Sequence, residues 1–350
     1  MRDMMKQSNE IKKTAEKNFL VTGGGGFLGL AIVKKLLAAG KFVTSLSRRA
    51  HPALTRLGVR QIQADIFDRE AVFQAVETSN AVFHVAAKPG VWGSLESYYK
   101  PNVIGTRNIV DACRFFGDKK LVYTSSPSVV FPRGDMEGVD ESVSYPPRYH
   151  AHYPKTKAIA ERYVRKAARE GLPAIILRPH LIWGPGDNNL VPRILARGKH
   201  LVKFGEPGKK VDTIYVDNAA DAHLLAMDAL SSSPSLSGQI YFISQDDPVS
   251  IWEMMDRILQ AGGLPGIKRN VPFPVVRATG ALMELAWRCF RLSGEPPMTR
   301  FVADELATSH WFDIGAAKQD LGYHPKISTE EGLLRLAAWL SDADRAPENI

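Results

Sequence analysis

The sequence predicts an α/β protein with a doubly wound parallel sheet and a smaller, mostly helical C-terminal lobe. Short β-branched runs alternate with helical stretches through the first two thirds of the 350 residues. This alternation is typical of right-handed crossovers between parallel strands. After Trp183 the alternation stops, and the rest of the chain is mostly helical with Pro and Gly breaks. Open parallel sheets bind ligands at the carboxyl ends of their strands, so we expect the lobe to lie over that edge.

The predicted elements follow one another in a regular order. Short runs rich in β-branched and apolar residues predict strands at 18–22, 41–47, 60–64, 80–87, 120–125 and 173–177. The stretches between them predict helices at 27–39, 69–77, 103–116 and 153–170. Gly40 follows the first helix, as glycine often does at a helix C-terminus.

The same order predicts the domains. We expect a dinucleotide-binding (Rossmann) domain over 18–182, with 211–245 returning to it. A substrate-binding lobe is expected over 183–210 and 246–345. Residues 1–17 are polar and mixed in charge, and we expect them to form a disordered tail.

Composition limits the classes of function. The chain is 45% hydrophobic and 23% charged, as ordinary globular proteins are. It has no uncharged apolar run of the roughly 18 residues that cross a bilayer, and residues 1–17 lack the apolar centre of a secretory signal. We therefore expect a cytoplasmic protein. Cys113 and Cys289 are far apart in sequence, and we expect two buried thiols rather than a disulfide.

The net charge indicates which kinds of binding partner the chain suits. The formal net charge is +8, which favours solubility and also suits an anionic ligand or a membrane surface. The basic residues are scattered and accompany no nucleic-acid-binding motif, so no nucleic-acid partner is expected. The nine histidines are dispersed without metal-ligand spacing, and no metal is expected.

A glycine-rich turn joins the first predicted strand to the first helix. Its sequence is Thr22-Gly-Gly-Gly-Gly-Phe-Leu-Gly29. Gly23 permits a tight turn, Gly26 lets the backbone approach a pyrophosphate, and Gly29 lets helix and strand pack closely. The helix N-terminus, which includes Phe27 and Leu28, supplies amide donors to the phosphates. The turn therefore predicts a dinucleotide site.

The end of the second strand indicates which dinucleotide binds. A carboxylate there would accept hydrogen bonds from a bare ribose, but this chain has Ser47-Arg48-Arg49. Two guanidinium groups suit a 2′-phosphate, which arginine binds through two parallel hydrogen bonds. The alternative is a pair of solvated surface arginines. We expect NADP(H) in preference to NAD(H), with Asp65 and Ile66 at the end of the third strand bordering the adenine.

Tyr153 and Lys157 open the helix that follows the fifth strand. They stand four residues apart and so share one face of that helix. Pro154 occupies the first turn, where a missing amide proton costs nothing. Ser126 follows the strand Lys120–Ser125, at the sheet edge where the glycine turn is also expected.

The glycine turn, the Tyr-x-x-x-Lys pair and Thr124-Ser125-Ser126 together resemble the extended short-chain dehydrogenase/reductase family, from about Asn18 to Trp339. The resemblance implies that Tyr153 is the acid/base, Lys157 its activator and ribose anchor, and Ser126 the partner of the carbonyl group. Lowering the pKa of a tyrosine from about 10 to near 7 takes roughly 4 kcal/mol. We expect an adjacent ammonium and the oxidised nicotinamide to supply it. Further cofactor contacts are expected from Ala86, Ala87, Lys88, Asn102 and Pro179.

Longer segments indicate which branch of this family the sequence resembles. Residues 177–187, 215–223 and 294–301 resemble the 3β-hydroxysteroid dehydrogenase-like branch, with His180 where sugar-nucleotide epimerases usually carry Asn. Residues 87–94 are similar to bacterial 2-alkyl-3-oxoalkanoate reductases of olefin biosynthesis. The resemblance implies reduction of the ketone of a hydrophobic 2-alkyl-3-oxoalkanoic acid with NADPH. A 3β-hydroxysteroid or sterol dehydrogenase, decarboxylating or not, is one alternative, and a non-catalytic NADP-binding protein is another.

The sequence also offers candidates for contacts with the substrate, with a membrane surface and with a second copy of the chain. Trp92, His180 and Trp183 are candidates to contact substrate, and Lys88 suits either a substrate carboxylate or the cofactor. An apolar stripe on the helix around 276–290 predicts core or lid packing, with contact to a membrane surface as the alternative. The family resemblance implies a homodimer through the helix of Tyr153, whose apolar side is formed by Ile159, Ala160, Tyr163, Val164, Ala167 and Ala168.

Overall fold

The computed structural model describes residues 18–343; the tail predicted at 1–17 lies outside them. The strands are β1 (Asn18–Thr22), β2 (Phe42–Ser47), β3 (Arg60–Gln63), β4 (Ala81–His84), β5 (Lys120–Thr124), β6 (Met136–Val139), β7 (Ala174–Pro179), β8 (Ile182–Trp183), β9 (Lys210–Val211), β10 (Ile214–Tyr215), β11 (Ile240–Ile243), β12 (Val249–Ser250) and β13 (His310–Phe312).

Helices cover both faces of the sheet and form most of the C-terminal lobe. They are α1 (Phe27–Ala38), α2 (Pro52–Arg56), α3 (Arg69–Glu77), α4 (Leu95–Tyr99), α5 (Gly105–Phe116), α6 (His152–Arg169), α7 (Leu190–Arg197), α8 (Val216–Ser232), α9 (Ile251–Ala261), α10 (Phe273–Cys289), α11 (Arg300–Leu306), α12 (Gly315–Leu321) and α13 (Thr329–Ala343). A π-helical turn at Lys100–Ile104 leads into α5.

The central sheet confirms the predicted fold class. Seven parallel strands run in the order β11-β7-β5-β4-β1-β2-β3. The strand order reverses between β1 and β4, since β1–β3 extend to one side and β4, β5, β7 and β11 to the other. A crevice forms at such a switch point beyond the carboxyl ends of the strands, and ligands bind there in doubly wound sheets.

Two smaller sheets accompany the central one. A four-stranded sheet has the order β12-β9-β13-β6, and β8 pairs with β10 in a two-stranded sheet. The sequence did not predict these sheets, because their strands are two to four residues long and carry no extended alternation. The division into domains stays a prediction.

Strand β4 ends earlier than predicted. It stops at His84, whereas the apolar run suggested residues 80–87. The amides of Val85 and Ala86 both donate to the hydroxyl of Thr22 at 3.1 Å. The chain therefore leaves the sheet there, because a side chain takes the donors that would continue the strand pairing.

The exposed side of α10 departs from the sequence expectation. Leu282 is 68% exposed, Leu285 is also exposed, and Phe290, the residue after the helix, is 75% exposed. The prediction of core packing is therefore wrong for these three residues. Cys289 is exposed as well, whereas Cys113 is buried as predicted. Among residues 18–343, no helix has the length and hydropathy to cross a bilayer. Contact of this face with a membrane surface stays a prediction.

The helix stripe assigned to a dimer interface contributes largely to the core of the chain itself. Ala160, Val164, Ala167 and Ala168 belong to the hydrophobic cluster between α6 and the sheet. Ile159 and Tyr163 keep part of their surface accessible. The homodimer stays a prediction.

A buried ion pair joins α6 to β7. Arg178 is 1% and Glu161 0% exposed, and the guanidinium donates to both carboxylate oxygens at 2.6 and 3.1 Å. The hydroxyl of Tyr145 donates to the same carboxylate at 2.6 Å. A charge this deep is tolerated because its partner and hydrogen bonds replace the lost water.

We expect Glu161→Gln to lower the free energy of unfolding by about 3–5 kcal/mol, because it leaves the Arg178 guanidinium buried without a counter-charge. Urea unfolding followed by circular dichroism measures this. The control is Glu331→Gln, which removes an exposed ion pair with Arg335 and should cost no more than about 0.5 kcal/mol. Equal losses in the two variants would contradict the argument.

Candidate active site

One cavity of about 1760 Å³ runs along the carboxyl ends of the central strands and into the C-terminal lobe. It brings together most of the site residues predicted from the sequence. The predicted residues that line it are Gly23, Gly26, Phe27, Leu28, Gly29, Ser47, Arg48, Arg49, Asp65, Ile66, Ala86, Ala87, Lys88, Ser126, Tyr153, Lys157, Pro179 and His180. Asn102, Trp92 and Trp183 do not line it.

The glycine turn has the geometry that a dinucleotide needs. Gly23 has φ +69°, in the left-handed region that glycine adopts without strain. A Cβ on Gly29 would lie 2.1 Å from the carbonyl oxygen of Gly23, so only glycine permits this approach of helix to strand. No side chain caps α1 at Gly26, which leaves its first amides free to bind an anion. The residues present therefore fit a dinucleotide phosphate.

The far end of the cavity is basic. Arg48 and Arg49 are exposed along its wall, and the hydroxyl of Ser47 donates to the carbonyl of Arg49 at 3.0 Å. His51, which the sequence analysis did not select, also lines the wall. Its ring packs so close to Gly25 that a Cβ there would overlap it at 2.0 Å. No motif marks His51; only the three-dimensional fold brings it to the turn.

A buried hydrogen-bonded chain supports the cofactor-facing backbone. Thr22 contacts the Nδ1 atom of His84 at 2.8 Å, and Thr106 contacts its Nε2 atom at 2.9 Å. The hydroxyl of Thr106 donates to the carbonyl of Asn102. The Asn102 side chain accepts from the amide of Lys88 at 2.7 Å. Asn102, predicted to touch the cofactor, thus holds the Ala86–Lys88 segment in place instead of lining the cavity.

Tyr153, Ser126 and Lys157 all line the cavity. Tyr153 and Lys157 lie in the first two turns of α6, and Ser126 follows the end of β5. Ser126 also contacts the hydroxyl of Ser128 at 2.9 Å. The Lys157 ammonium donates to the carbonyl of Thr124 at 2.6 Å and lies 4.4 Å from the centre of the Tyr123 ring.

Burial sets the protonation of this group. It raises the pKa of Tyr153, an effect that the hydrogen bond from Ser126 opposes and the charge of Glu305 reinforces. Burial also lowers the pKa of Lys157 to about 7, against the attraction of Glu161. The sequence predicts that the Lys157 ammonium and the oxidised nicotinamide together lower the pKa of Tyr153. In the chain alone burial is the largest effect and raises this pKa. The share of the nicotinamide stays a prediction.

His180 is held by a second histidine. Its Nε2 atom lies 2.7 Å from Nδ1 of His310, and Nε2 of His310 lies 2.9 Å from the carbonyl oxygen of Glu305. A carbonyl only accepts, so His310 carries its proton on Nε2 and accepts from His180 at Nδ1. Burial lowers the pKa of both rings and keeps them neutral. His180 is therefore a positioned, neutral ring in the cavity wall.

The two tryptophans lie away from the cavity. Trp183 is fully buried, packs edge-on against Tyr215, and donates its indole proton to Thr213 at 3.2 Å. Its predicted contact with substrate does not match this position. Trp92 lies under the guanidinium of Arg288, 5.4 Å from the ring centre.

Glu305 also lines the cavity, although no sequence motif predicts it. It lines the cavity from α11, a seven-residue helix without a motif, so no local signal was available. Across residues 18–343, no group of three or more His, Cys, Asp or Glu side chains is arranged to hold a metal ion.

The fold and this arrangement together define an oxidoreductase of the doubly wound, dinucleotide-binding class. Residues 20–275 match the 3-beta hydroxysteroid dehydrogenase/isomerase family, and the chain belongs to that family. The resemblance inferred from the sequence is thereby confirmed.

Individual comparisons agree with this family. A 2-alkyl-3-oxoalkanoate reductase of Shewanella oneidensis is 47% identical over 330 residues, covering 91% of this chain and 85% of that protein. A decarboxylating sterol-4-alpha-carboxylate 3-dehydrogenase of Schizosaccharomyces pombe is 36% identical over 340 residues, covering 92% and 97%. A UDP-glucuronic acid 4-epimerase from Bacillus cereus, solved in complex with NAD, shares the fold with a TM-score of 0.72 at 20% identity, covering 93% and 99%.

The buried histidines make stability depend on pH. Burial lowers the pKa of His84 to about 3 and of His223 to about 4. The unfolded chain therefore binds more protons than the folded one below about pH 6.5, and stability is lost as the pH falls from there. Between pH 7 and pH 5, we expect the free energy of unfolding of His84→Gln to fall by about 2 kcal/mol less than that of the wild type.

Urea unfolding at the two pH values measures this difference. The control is His324→Gln, which replaces an exposed histidine and should keep the wild-type pH dependence. Parallel curves for His84→Gln and the wild type would show that His84 is not the group responsible.

Proposed function

We propose that this chain reduces the ketone of a hydrophobic 2-alkyl-3-oxoalkanoic acid to the 2-alkyl-3-hydroxy acid, with NADPH as the reductant. The supporting observation is one continuous cavity, lined by the glycine turn, by Tyr153 and by apolar residues of the C-terminal part of the chain. The 47% identity to the Shewanella oneidensis reductase supports the substrate class.

The two ends of the cavity suit two different ligands. The glycine turn and the free amides of α1 suit the phosphates of a dinucleotide. The opposite walls are largely apolar and suit long alkyl chains; they include Phe204, Trp252, Val276, Met283, Phe301 and Leu306. Tyr153 lines the same cavity.

The roles of the side chains follow from their contacts. When bound, the reduced nicotinamide supplies a hydride, with its two electrons, to the carbonyl carbon. Tyr153 donates its phenolic proton to the carbonyl oxygen and recovers a proton from solvent, so one ketone, one hydride and one proton give one alcohol. Ser126 stabilises the negative charge that develops on that oxygen. Lys157, fixed by the Thr124 carbonyl, orients the ribose and the Tyr153 hydroxyl.

Oxidation of a 3-hydroxysterol is the second candidate, favoured by the 36% identity to the Schizosaccharomyces pombe enzyme. Oxidation needs a tyrosinate to accept the proton of the alcohol. Burial raises the pKa of Tyr153 and so favours the protonated phenol, the form from which reduction begins.

Arg48 and Arg49 support the choice of NADPH. We expect Arg48→Ala/Arg49→Ala to raise the Kd for NADPH at least tenfold and to leave the Kd for NADH within about twofold, because only NADPH carries the 2′-phosphate. Fluorescence titration measures both constants. The control is Arg56→Ala, on an exposed part of α2 outside the cavity. Equal loss of both cofactors would contradict the assignment.

We expect Tyr153→Phe to lower kcat for NADPH oxidation by 10²- to 10⁴-fold with a long-chain 2-alkyl-3-oxo acid, because the general acid is lost. The Kd for NADPH and the Tm should be unchanged. The control is Tyr163→Phe on the same helix, whose hydroxyl bonds Asp111 instead of facing the cavity.

The outcomes separate the possibilities. A Tyr153→Phe variant that keeps more than about a tenth of the wild-type rate would exclude Tyr153 as the acid. A wild-type protein that oxidises a 3-hydroxysterol with NAD or NADP, and leaves the keto acid untouched, would establish the second candidate. Tight NADPH binding without turnover of either substrate would indicate a non-catalytic protein.

A further inference from the structure

Lys88 places an ammonium group in the cavity that pairs with no carboxylate among residues 18–343. It is partly buried and lines the cavity shortly after β4. The ammonium donates to the hydroxyl of Ser97 at 2.9 Å and lies 4.7 Å from the centre of the Tyr98 ring. Ser97 gives its own proton to the carbonyl of Ser94 at 2.8 Å, so its oxygen is free to accept. An ammonium has three donors, and these contacts leave at least one for a ligand.

The other cations of the cavity are engaged elsewhere. Among the lysines and arginines that line it within residues 18–343, two pair with carboxylates and two donate to main-chain carbonyls: Lys100 with Glu96, Arg193 with Glu295, Lys157 with the carbonyl of Thr124, and Arg197 with that of Pro297. Arg48 and Arg49 lie at the basic end proposed for the 2′-phosphate. A cation partly removed from water is costly, and an anionic ligand at Lys88 would offset that cost.

Two buried side chains tie Lys88 to the helix of Tyr153. The amide of Lys88 donates to the side-chain oxygen of Asn102 at 2.7 Å, and the side-chain amide of Asn102 donates to Thr156 at 3.1 Å. The Thr156 hydroxyl in turn donates to the carbonyl of Tyr153 at 3.0 Å. Asn102 is 1% and Thr156 0% exposed, so water does not compete for these contacts. Three hydrogen bonds therefore connect the main chains of Lys88 and Tyr153 and fix their separation.

The ammonium of Lys88 also lies beside the start of this helix. Its neighbours Ser97 and Tyr98 belong to α4, which packs against α6. The ring of Tyr98 is 6.5 Å from the ring of His152, the residue that precedes Tyr153. The main chain and the side chain of Lys88 are thus both held against the segment that carries the proposed general acid.

The loop from Lys88 to α4 contacts the part of the chain that is expected to hold the substrate. The amide of Val91 donates to Glu295 at 3.3 Å, and this carboxylate leaves no room for a Cβ on Gly90. Arg193 already balances the charge of Glu295. Among residues 18–343, the contacts of the Lys88 ammonium include none with the glycine turn, where the cofactor phosphates are expected. The side chain therefore suits the substrate better than the cofactor.

A 3-oxo acid carries its charge close to the reacting atoms. A single carbon separates the ketone carbon from the carboxylate carbon, so a ketone placed against Tyr153 and Ser126 brings the carboxylate into the same part of the cavity. Without a cation there, the carboxylate would lose its hydration and gain nothing in return. An ammonium supplies both the opposite charge and a hydrogen bond.

We propose that the ammonium of Lys88 binds the carboxylate of the substrate, and that this ion pair selects a 3-oxo acid over its neutral ester. The inference rests on the proposed function and adds to it the residue that recognises the acid. Ser97 and Tyr98 hold the ammonium in position to meet the carboxylate.

The test compares a freshly prepared 2-alkyl-3-oxo acid with its methyl ester, each at saturating NADPH. Lys88→Met removes the charge and keeps a flexible side chain of similar shape. It should raise the KM for the acid roughly 10- to 100-fold, because a hydrogen bond between charged groups is lost, and leave the KM for the ester within about threefold. Lys88→Arg retains the charge and should keep the KM for the acid within about fivefold of the wild-type value.

The matched control is Lys100→Met. Lys100 also lines the cavity, but Glu96 already pairs with it at 2.7 Å. We expect this change to affect the KM for acid and ester alike, by no more than about twofold. The Tm and the Kd for NADPH of each variant report folding and cofactor binding separately.

Three results would overturn the inference while leaving the proposed function in place. One is an equal rise in KM for acid and ester in Lys88→Met, which indicates a structural role. The second is a higher Kd for NADPH in that variant with an unchanged KM for the acid, which assigns the ammonium to the cofactor. The third is a wild-type protein that prefers the ester. If the wild type reduces neither compound, the proposed function fails and this inference fails with it.

Discussion

The buried ion pair between Glu161 and Arg178 is the contact on which the site depends. Lys157 lies one helical turn before Glu161, while Pro179 and His180 directly follow Arg178. The pair therefore fixes the distance between the helix that carries the tyrosine and lysine and the strand end that faces them. Its carboxylate also raises the pKa of Lys157 against the effect of burial. Structure and electrostatics of the site thus share one origin, and neither group can be replaced without exposing the other's charge to an apolar interior.

Sequence reasoning succeeded where the signal is local. The glycine turn, the Tyr153–Lys157 spacing and the strand–helix alternation each depend on a few consecutive residues, and the structure places them as expected. It failed where a structural feature depends on a contact between residues that are far apart in the sequence. Thr22 ends β4 early by accepting from amides more than 60 residues away. Glu305 and His51 reach the cavity only through the fold, and the sequence around them has no pattern that would distinguish them from surface residues.

The helix α10 shows why an apolar stripe alone does not identify a buried face. Its buried positions are Val276, Gly280 and Glu284, which are spaced by four residues. Gly280 lets α10 approach the backbone of Thr299 so closely that a Cβ would lie 2.9 Å away. Glu284 is buried because it binds the side chain and the amide of Arg300. Close packing and an ion pair bury this face, whereas Leu282 and Leu285, which are more apolar than Gly280 and Glu284, lie exposed.

Burial also sets the chemistry of the cavity. It raises the pKa of Tyr153 and of Glu305 and lowers that of His180, His310 and Lys157, so each group tends towards its uncharged form. Uncharged acids are proton donors, and a cavity lined with them suits a reaction in which negative charge develops on the ligand. An apolar wall suits alkyl chains for the same reason that it disfavours ions. The desolvation that suits a hydrophobic substrate therefore also keeps Tyr153 protonated, and the apolar wall and the protonated phenol have a common physical cause.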